Sequence, residues 1–225
     1  MLRATPLVAG ENYHIYNRGA GKQKIFLNDS DYRRFQALIF VGNNSEGIHL
    51  SNLRKHQGRS LTWVFEKKID HLPVDVYAYS LMPNHFHLVL RQKTDDGITC
   101  FLRRVCTAYS MYYNLKYRHS GTLFQGRFKS NHLDTDPYFK WIFPYVHLNP
   151  VSLIEADWQE KGIRNPARAR EFLKNYRYSS YYDYYTGERP ERAILAHKEV
   201  SGLLDKGRDL HGMLSAYRRG RVLYI

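Results

Sequence analysis

Apolar and polar residues alternate along two neighbouring stretches of the chain, residues 74–81 and 85–90, and the other elements arrange themselves around these two. Val74, Val76 and Ala78 alternate with Asp75, Tyr77 and Tyr79, while Phe86, Leu88 and Leu90 alternate with His85, His87 and Val89. Side chains of a strand point to opposite faces in turn, so two strands are expected, joined as a hairpin by a Pro83-Asn84 turn. One face of the second strand is core; the other begins with two imidazoles. Residues 12–18 form a third β-prone run, stopped by Gly19 and Gly21. Helical spacing follows the Asn28-Asp29-Ser30 cap, with Tyr32, Phe35, Leu38 and Ile39 inward over residues 31–41. A longer helix, 98–117, follows Asp95-Asp96-Gly97; its expected buried stripe is Phe101, Val105, Ala108, Tyr112 and Leu115, leaving Arg103, Arg104 and Lys116 outside.

Residues 122–133 read as a strand or bent strand pair with a bulge at Gly126, and alternation puts Arg127 and Lys129 on one face. Asp134-Thr135-Asp136-Pro137 then starts a helix with acidic caps and proline in its first turn. Phe139, Ile142, Phe143 and Val146 are its apolar stripe, and Trp141, Tyr145 and Asn149 share a flank roughly 100° away. Tyr145 and Asn149 therefore stand one turn apart. Pro144 removes the hydrogen bond to Lys140 inside this helix, and Asn149-Pro150 closes it. Residues 42–72 are polar apart from the group 61–65, an insertion that is mobile or carries a small hairpin. A charged helix over 165–175, a tyrosine-rich run over 176–185 and a basic cluster at 218–221 complete the chain.

Charge narrows the partner. There are 34 Lys and Arg against 21 Asp and Glu, a net +13, and with 19 tyrosines among the stacking residues the balance favours a nucleic acid over a membrane surface. Cys100 and Cys106 fit neither a zinc spacing nor a disulfide framework. No run approaches a membrane span and no signal-peptide pattern opens the sequence, so a soluble, cytoplasmic protein is expected.

Two imidazoles side by side on a rigid strand can hold one divalent cation, or can simply form a hydrogen-bonded pair beneath a loop. Taken together, His85-Phe86-His87 after a strand and Tyr145-Val146-His147-Leu148-Asn149-Pro150 ending a later helix resemble the HUH single-tyrosine transposases with an IS200-like domain, and among them the REP-associated branch. Tyr13-His14-Ile15-Tyr16-Asn17-Arg18-Gly19, Leu81-Met82-Pro83-Asn84, the segment 121–129 and Tyr178-Ser179-Ser180-Tyr181 extend the resemblance over residues 10–185. Pro144 and the 42–72 insertion depart from the family pattern.

The resemblance implies an α+β fold: a ferredoxin-like palm whose central antiparallel sheet is packed by helices, with the nucleophile on a helix at its C-terminal side. It implies one domain over 1–185, with 186–225 as a basic extension. It also implies that Tyr145 is the nucleophile and that His85, His87 and Asn149 bind Mg²⁺ or Mn²⁺. The activity would be metal-dependent cleavage and rejoining of single-stranded, hairpin-bearing DNA through a 5′-phosphotyrosine. Arg18, Arg103, Arg104, Gln125, Arg127 and Lys129 are the candidate DNA contacts, and the protein would act as monomer or homodimer. The alternative is a non-catalytic hairpin-binding module on the same palm; a nickase joined to a helicase would need a longer chain.

Overall fold

The computed structural model describes residues 6–44, 61–200, 212–215, 217 and 218. In chain order it contains β1 (Asn12–Arg18), α1 (Asp29–Gly42), β2 (Val74–Met82), β3 (His85–Gln92), α2 (Gly97–Tyr117) and β4 (Lys129–His132). These strands form one antiparallel sheet in the order β2-β3-β1-β4. A βαββαβ chain with β1 and β3 in the centre is the expected ferredoxin-like palm. Beyond it come α3 (Asp136–Leu148), a 3₁₀ turn (Asn149–Leu153), α4 (Trp158–Lys161), α5 (Pro166–Asn175), α6 (Tyr181–Tyr185) and α7 (His197–Val200). No described helix is long and apolar enough to cross a membrane.

The two faces of the sheet carry separate cores. Ile15, Phe86, Leu88 and Leu90 meet Phe35 and Leu38 of α1 and Phe101, Val105 and Tyr109 of α2 on one face. Val89 meets Ile142, Phe143 and Val146 of α3 on the other. The expected alternation of β3 therefore holds, and it sends His85 and His87 to the α3 side. β2 does not keep its alternation. A bulge between Val76 and Ala78 inserts a residue, so Val76, Tyr79 and Leu81 join the α1/α2 core while Tyr77 and Ala78 join the α3 core.

Three other expectations are corrected. The buried row of α2 is Phe101, Val105, Tyr109 and Tyr113 with Ile98 and Leu102, whereas Leu115 is 71% exposed. α1 approaches this row closely at Val105: a Cβ on Gly42 would lie 2.9 Å from Val105 Cγ2, so the contact needs that glycine. Tyr112 is half-buried and donates its hydroxyl to Asp31 at 2.9 Å instead. In 122–133 only Lys129–His132 is strand; the preceding loop touches the sheet through a bridge from Gly19 to Phe124. The apolar group after residue 60 is a 3₁₀ helix, Leu61–Glu66, with Val64 and Phe65 in the main core. Residues 45–60 of the expected insertion, and Arg219 to Arg221 of the basic cluster, lie outside the described residues.

β2 is at the sheet edge, yet all nine of its residues are buried. An open edge exposes unpaired N–H and C=O groups, and here the Tyr178–Tyr181 segment takes them up. Leu81 N–H donates to Tyr178 O at 2.9 Å, Ser180 N–H donates to Tyr79 O at 3.0 Å, and Tyr79 N–H donates to Ser180 Oγ at 2.9 Å. Residues beyond 185 also enter the body: Ile194 belongs to the α1/α2 core, and Met213 and Tyr217 to the α3 core. The opposite edge, β4, is left facing solvent, and there the candidate site opens.

Candidate active site

Short-range chemistry fixes the first imidazole. The turn before β3 places Asn84 Oδ1 2.7 Å from His85 Nδ1, while the Asn84 amide nitrogen donates to Lys22 O at 3.3 Å. Asn84 Oδ1 is thus an acceptor, His85 Nδ1 carries the hydrogen, and the Nε2 lone pair is left for the site. Register fixes the second: His87 lies opposite Tyr16 in β1 and opposite Ser80 in β2. The His85 and His87 rings are 5.0 Å apart and nearly perpendicular at 89°.

α3 brings the other pair. Its N-cap is Thr135, whose hydroxyl accepts from Tyr138 N–H at 3.4 Å, and the helix runs on through Pro144 to Leu148. Tyr145 lies edge-on to His87 with centroids 5.5 Å apart at 87°. The flank expected to be free of core is covered: Trp141 and Asn149 are buried and Tyr145 is half-buried. The cause is the C-terminal helical turn. Tyr217 stacks at 5.9 Å on Trp141 and at 6.3 Å on Tyr145, and its carbonyl accepts from Trp141 Nε1 at 3.0 Å.

The Asn149 side chain lies beside both His85 and Tyr145 and lines the same cavity. Burial dominates the titration of His85, His87 and Tyr145. It holds the pKa of His85 down to about 4, helped by the Arg18 charge and opposed by Asn149. It lowers His87 well below the usual histidine range, with His14 and His85 adding to the effect. It raises Tyr145 to about 12, with Tyr217, Tyr16 and Tyr138 adding and Asn149 opposing. Both imidazoles are therefore neutral at pH 7, and the phenol keeps its proton.

A cavity of about 520 Å³ lies over these groups. His85, His87, Tyr145 and Asn149 all line it, and so do Arg18, Gln125, Arg127 and Lys129. Gly126 adopts a φ of +138°, open to glycine, and its carbonyl accepts from Asn17 Nδ2 at 3.1 Å, which ties the Gln125–Arg127 loop to β1. Arg103 and Arg104 are not part of this wall. They are on α2, across the sheet from α3, where Arg104 donates to Asn44 O.

Sequence reasoning did not single out His14, Tyr16, Ser152, Gln159 or Tyr217. His14 and Tyr16 were within reach, because alternation in β1 gives them one face; the register that turns that face toward His87 is tertiary. Ser152 and Gln159, which line the cavity, carry no local signal at all.

Residues 38–149, about half of the chain, match the family model described as transposase IS200 like. The chain belongs to the IS200-like transposase family. The match contains α2, the hairpin with both histidines, and α3 with Tyr145 and Asn149. The fold also matches a solved structure of a REP-associated tyrosine transposase bound to a REP hairpin, with a TM-score of 0.51 over 93% of each chain and 13% identity. No curated protein matches the sequence. Family membership assigns this chain to DNA transposition.

Proposed function

We propose that the protein cleaves and rejoins single-stranded, hairpin-bearing DNA through a phosphotyrosine on Tyr145, using Mg²⁺ or Mn²⁺ held by His85, His87 and Asn149. The observation that carries this reading is the single cavity in which a tyrosine, two neutral imidazoles, an amide and three cationic side chains converge. A hairpin-binding module needs the cations, but not a half-buried phenol beside two neutral imidazoles.

The donor set fits a hard divalent cation. With His85 Nδ1 committed to Asn84, its Nε2 lone pair is left for the cavity that His87 and Asn149 also line, and a mixed nitrogen and oxygen donor set suits such a cation. Among the described residues no three His, Cys, Asp or Glu side chains converge as a metal-holding group, so the third protein donor here is an amide. When bound, Mg²⁺ or Mn²⁺ would supply charge stabilisation at the phosphate oxygens.

The chain's own groups do the rest. Arg18, Arg127 and Lys129 hold the backbone phosphates by charge. Tyr145, beside Asn149 in the cavity, attacks the scissile phosphorus as its proton passes to solvent; the P–O3′ bond breaks and the leaving 3′ oxygen takes up a proton from solvent, giving a 5′-phosphotyrosine and a free 3′-OH. The phosphotyrosine conserves the phosphodiester bond energy, so a second 3′-OH can displace Tyr145 and join new ends without ATP. The test is a hairpin oligonucleotide labelled on each side of its single-stranded flank. With Mn²⁺ or Mg²⁺ the 5′ end should become attached to protein and the other product should carry a 3′-OH. Binding without any attachment under these conditions would favour the non-catalytic module.

The position of the basic residues gives a second expected result. Neutralising Arg127 or Lys129 should weaken binding to all hairpin sequences alike and reduce the salt slope by roughly 0.7–0.9 per lost phosphate contact. Arg103→Ala and Arg104→Ala, across the sheet, should leave that slope nearly unchanged. Equal losses from all four would mean that the DNA also wraps over α2.

A further inference from the structure

The geometry points to His14 as a positioning residue that sets the tautomer of His87 and so presents its lone pair to a cation. This rests on the reading of His85, His87 and Asn149 as ligands. His14 Nε2 lies 2.9 Å from His87 Nδ1, and the two rings stack at 5.1 Å and 15°. The residues are 5% and 6% exposed, so each takes the other as partner in place of water.

Between two neutral imidazoles, one of the facing nitrogens carries the hydrogen and the other accepts it. If His87 Nδ1 carries it, His87 Nε2 has a lone pair to offer. If His14 Nε2 carries it, His87 must place its own hydrogen on Nε2, and that nitrogen cannot bind a cation. A ligating histidine commonly gives its second N–H to a carboxylate, a carbonyl or water, which fixes both tautomer and ring orientation. In this chain the acceptor is another imidazole. The strand register makes it so: Tyr16 is directly opposite His87, and His14, two residues along the same face of β1, reaches it diagonally. His14 is also edge-on to Tyr145 at 5.6 Å, so one buried ring braces both the proposed ligand and the proposed nucleophile.

Two substitutions separate packing from hydrogen bonding. His14→Phe keeps a flat ring in the stack and removes the acceptor, while His14→Gln returns an acceptor oxygen. The full chain would be titrated with Mn²⁺ alone, without DNA, by calorimetry, and the His87 ring nitrogens would be read by ¹⁵N NMR in metal-free protein. In the wild type the hydrogen should be on Nδ1. His14→Phe should weaken Mn²⁺ binding about 10–100-fold and shift hydrogen to Nε2, and His14→Gln should recover most of both. Unchanged affinity and tautomer in a folded His14→Phe protein would overturn the assignment. So would a wild-type His87 protonated on Nε2, a result that stands even if a variant fails to fold. A wild type that binds no Mn²⁺ while keeping the Nδ1 tautomer would overturn the ligand reading and leave His14 as the residue that sets the tautomer.

Discussion

Tyr145→Phe is expected to give a folded protein that binds hairpin DNA and forms no covalent adduct, with strand cleavage down by more than about 10⁴-fold, as for loss of a nucleophile. The substitution removes one oxygen and opens no cavity. The ring keeps its contacts with Trp141 at 5.3 Å and Tyr217 at 6.3 Å, so the flank of α3 should remain packed. What is lost is the hydroxyl's polar interaction with Asn149. Other tyrosines are poor substitutes. Tyr109 is fully buried across the sheet and donates to Ile25 O at 2.5 Å. Tyr16 lines the same cavity, and residual cleavage in the Phe variant would point to it first. Thermal melting and gel analysis of adducts decide between these outcomes.

His87→Ala should separate chemistry from binding. The residue lines the cavity floor between Tyr16, His85 and Tyr145, and its substitution removes one nitrogen donor while the charges of Arg18, Arg127 and Lys129 remain. Charge stabilisation of several kcal/mol at the phosphate corresponds to about 10³-fold or more in rate. Cleavage should fall by that amount, whereas hairpin affinity, which comes from phosphate contacts and stacking, should change by less than about tenfold. EDTA should reproduce the loss in the wild type. Full cleavage in EDTA would remove the cation from the mechanism.

Much of this arrangement was legible in the sequence because it depends on local periodicity. The Asp134–Pro137 cap, the one-turn spacing of Tyr145 and Asn149, and the alternation of His85 with Phe86 are short-range patterns, and the helix and strand that they predict are present. The bulge in β2 was not legible, since an inserted residue leaves the hydrophobic count unchanged and is decided by what covers each face. The expected and observed stripes of α2 share Phe101 and Val105 and part by one residue after them, at Tyr109 and Tyr113, because the packed row follows a spacing of four that the neighbouring elements impose. Above all, the flank of Tyr145 looked open on a single helix. It is closed by Tyr217, more than seventy residues away in sequence, and only tertiary packing brings that ring back. Tyr178-Ser179-Ser180-Tyr181 stood out as a motif, and its physical role is now specific: its backbone and the Ser180 hydroxyl satisfy the edge of β2.

The account depends most on which tyrosine oxygen becomes attached to DNA. The wild-type protein should be incubated with a single-stranded hairpin substrate and Mn²⁺, digested with nuclease and protease, and its phosphotyrosyl peptides mapped by mass spectrometry. One modified peptide is expected, carrying its nucleotide on Tyr145, and it should be absent when EDTA is present. A nucleotide on any other tyrosine, or the same Tyr145 adduct formed without a divalent cation, would contradict the account.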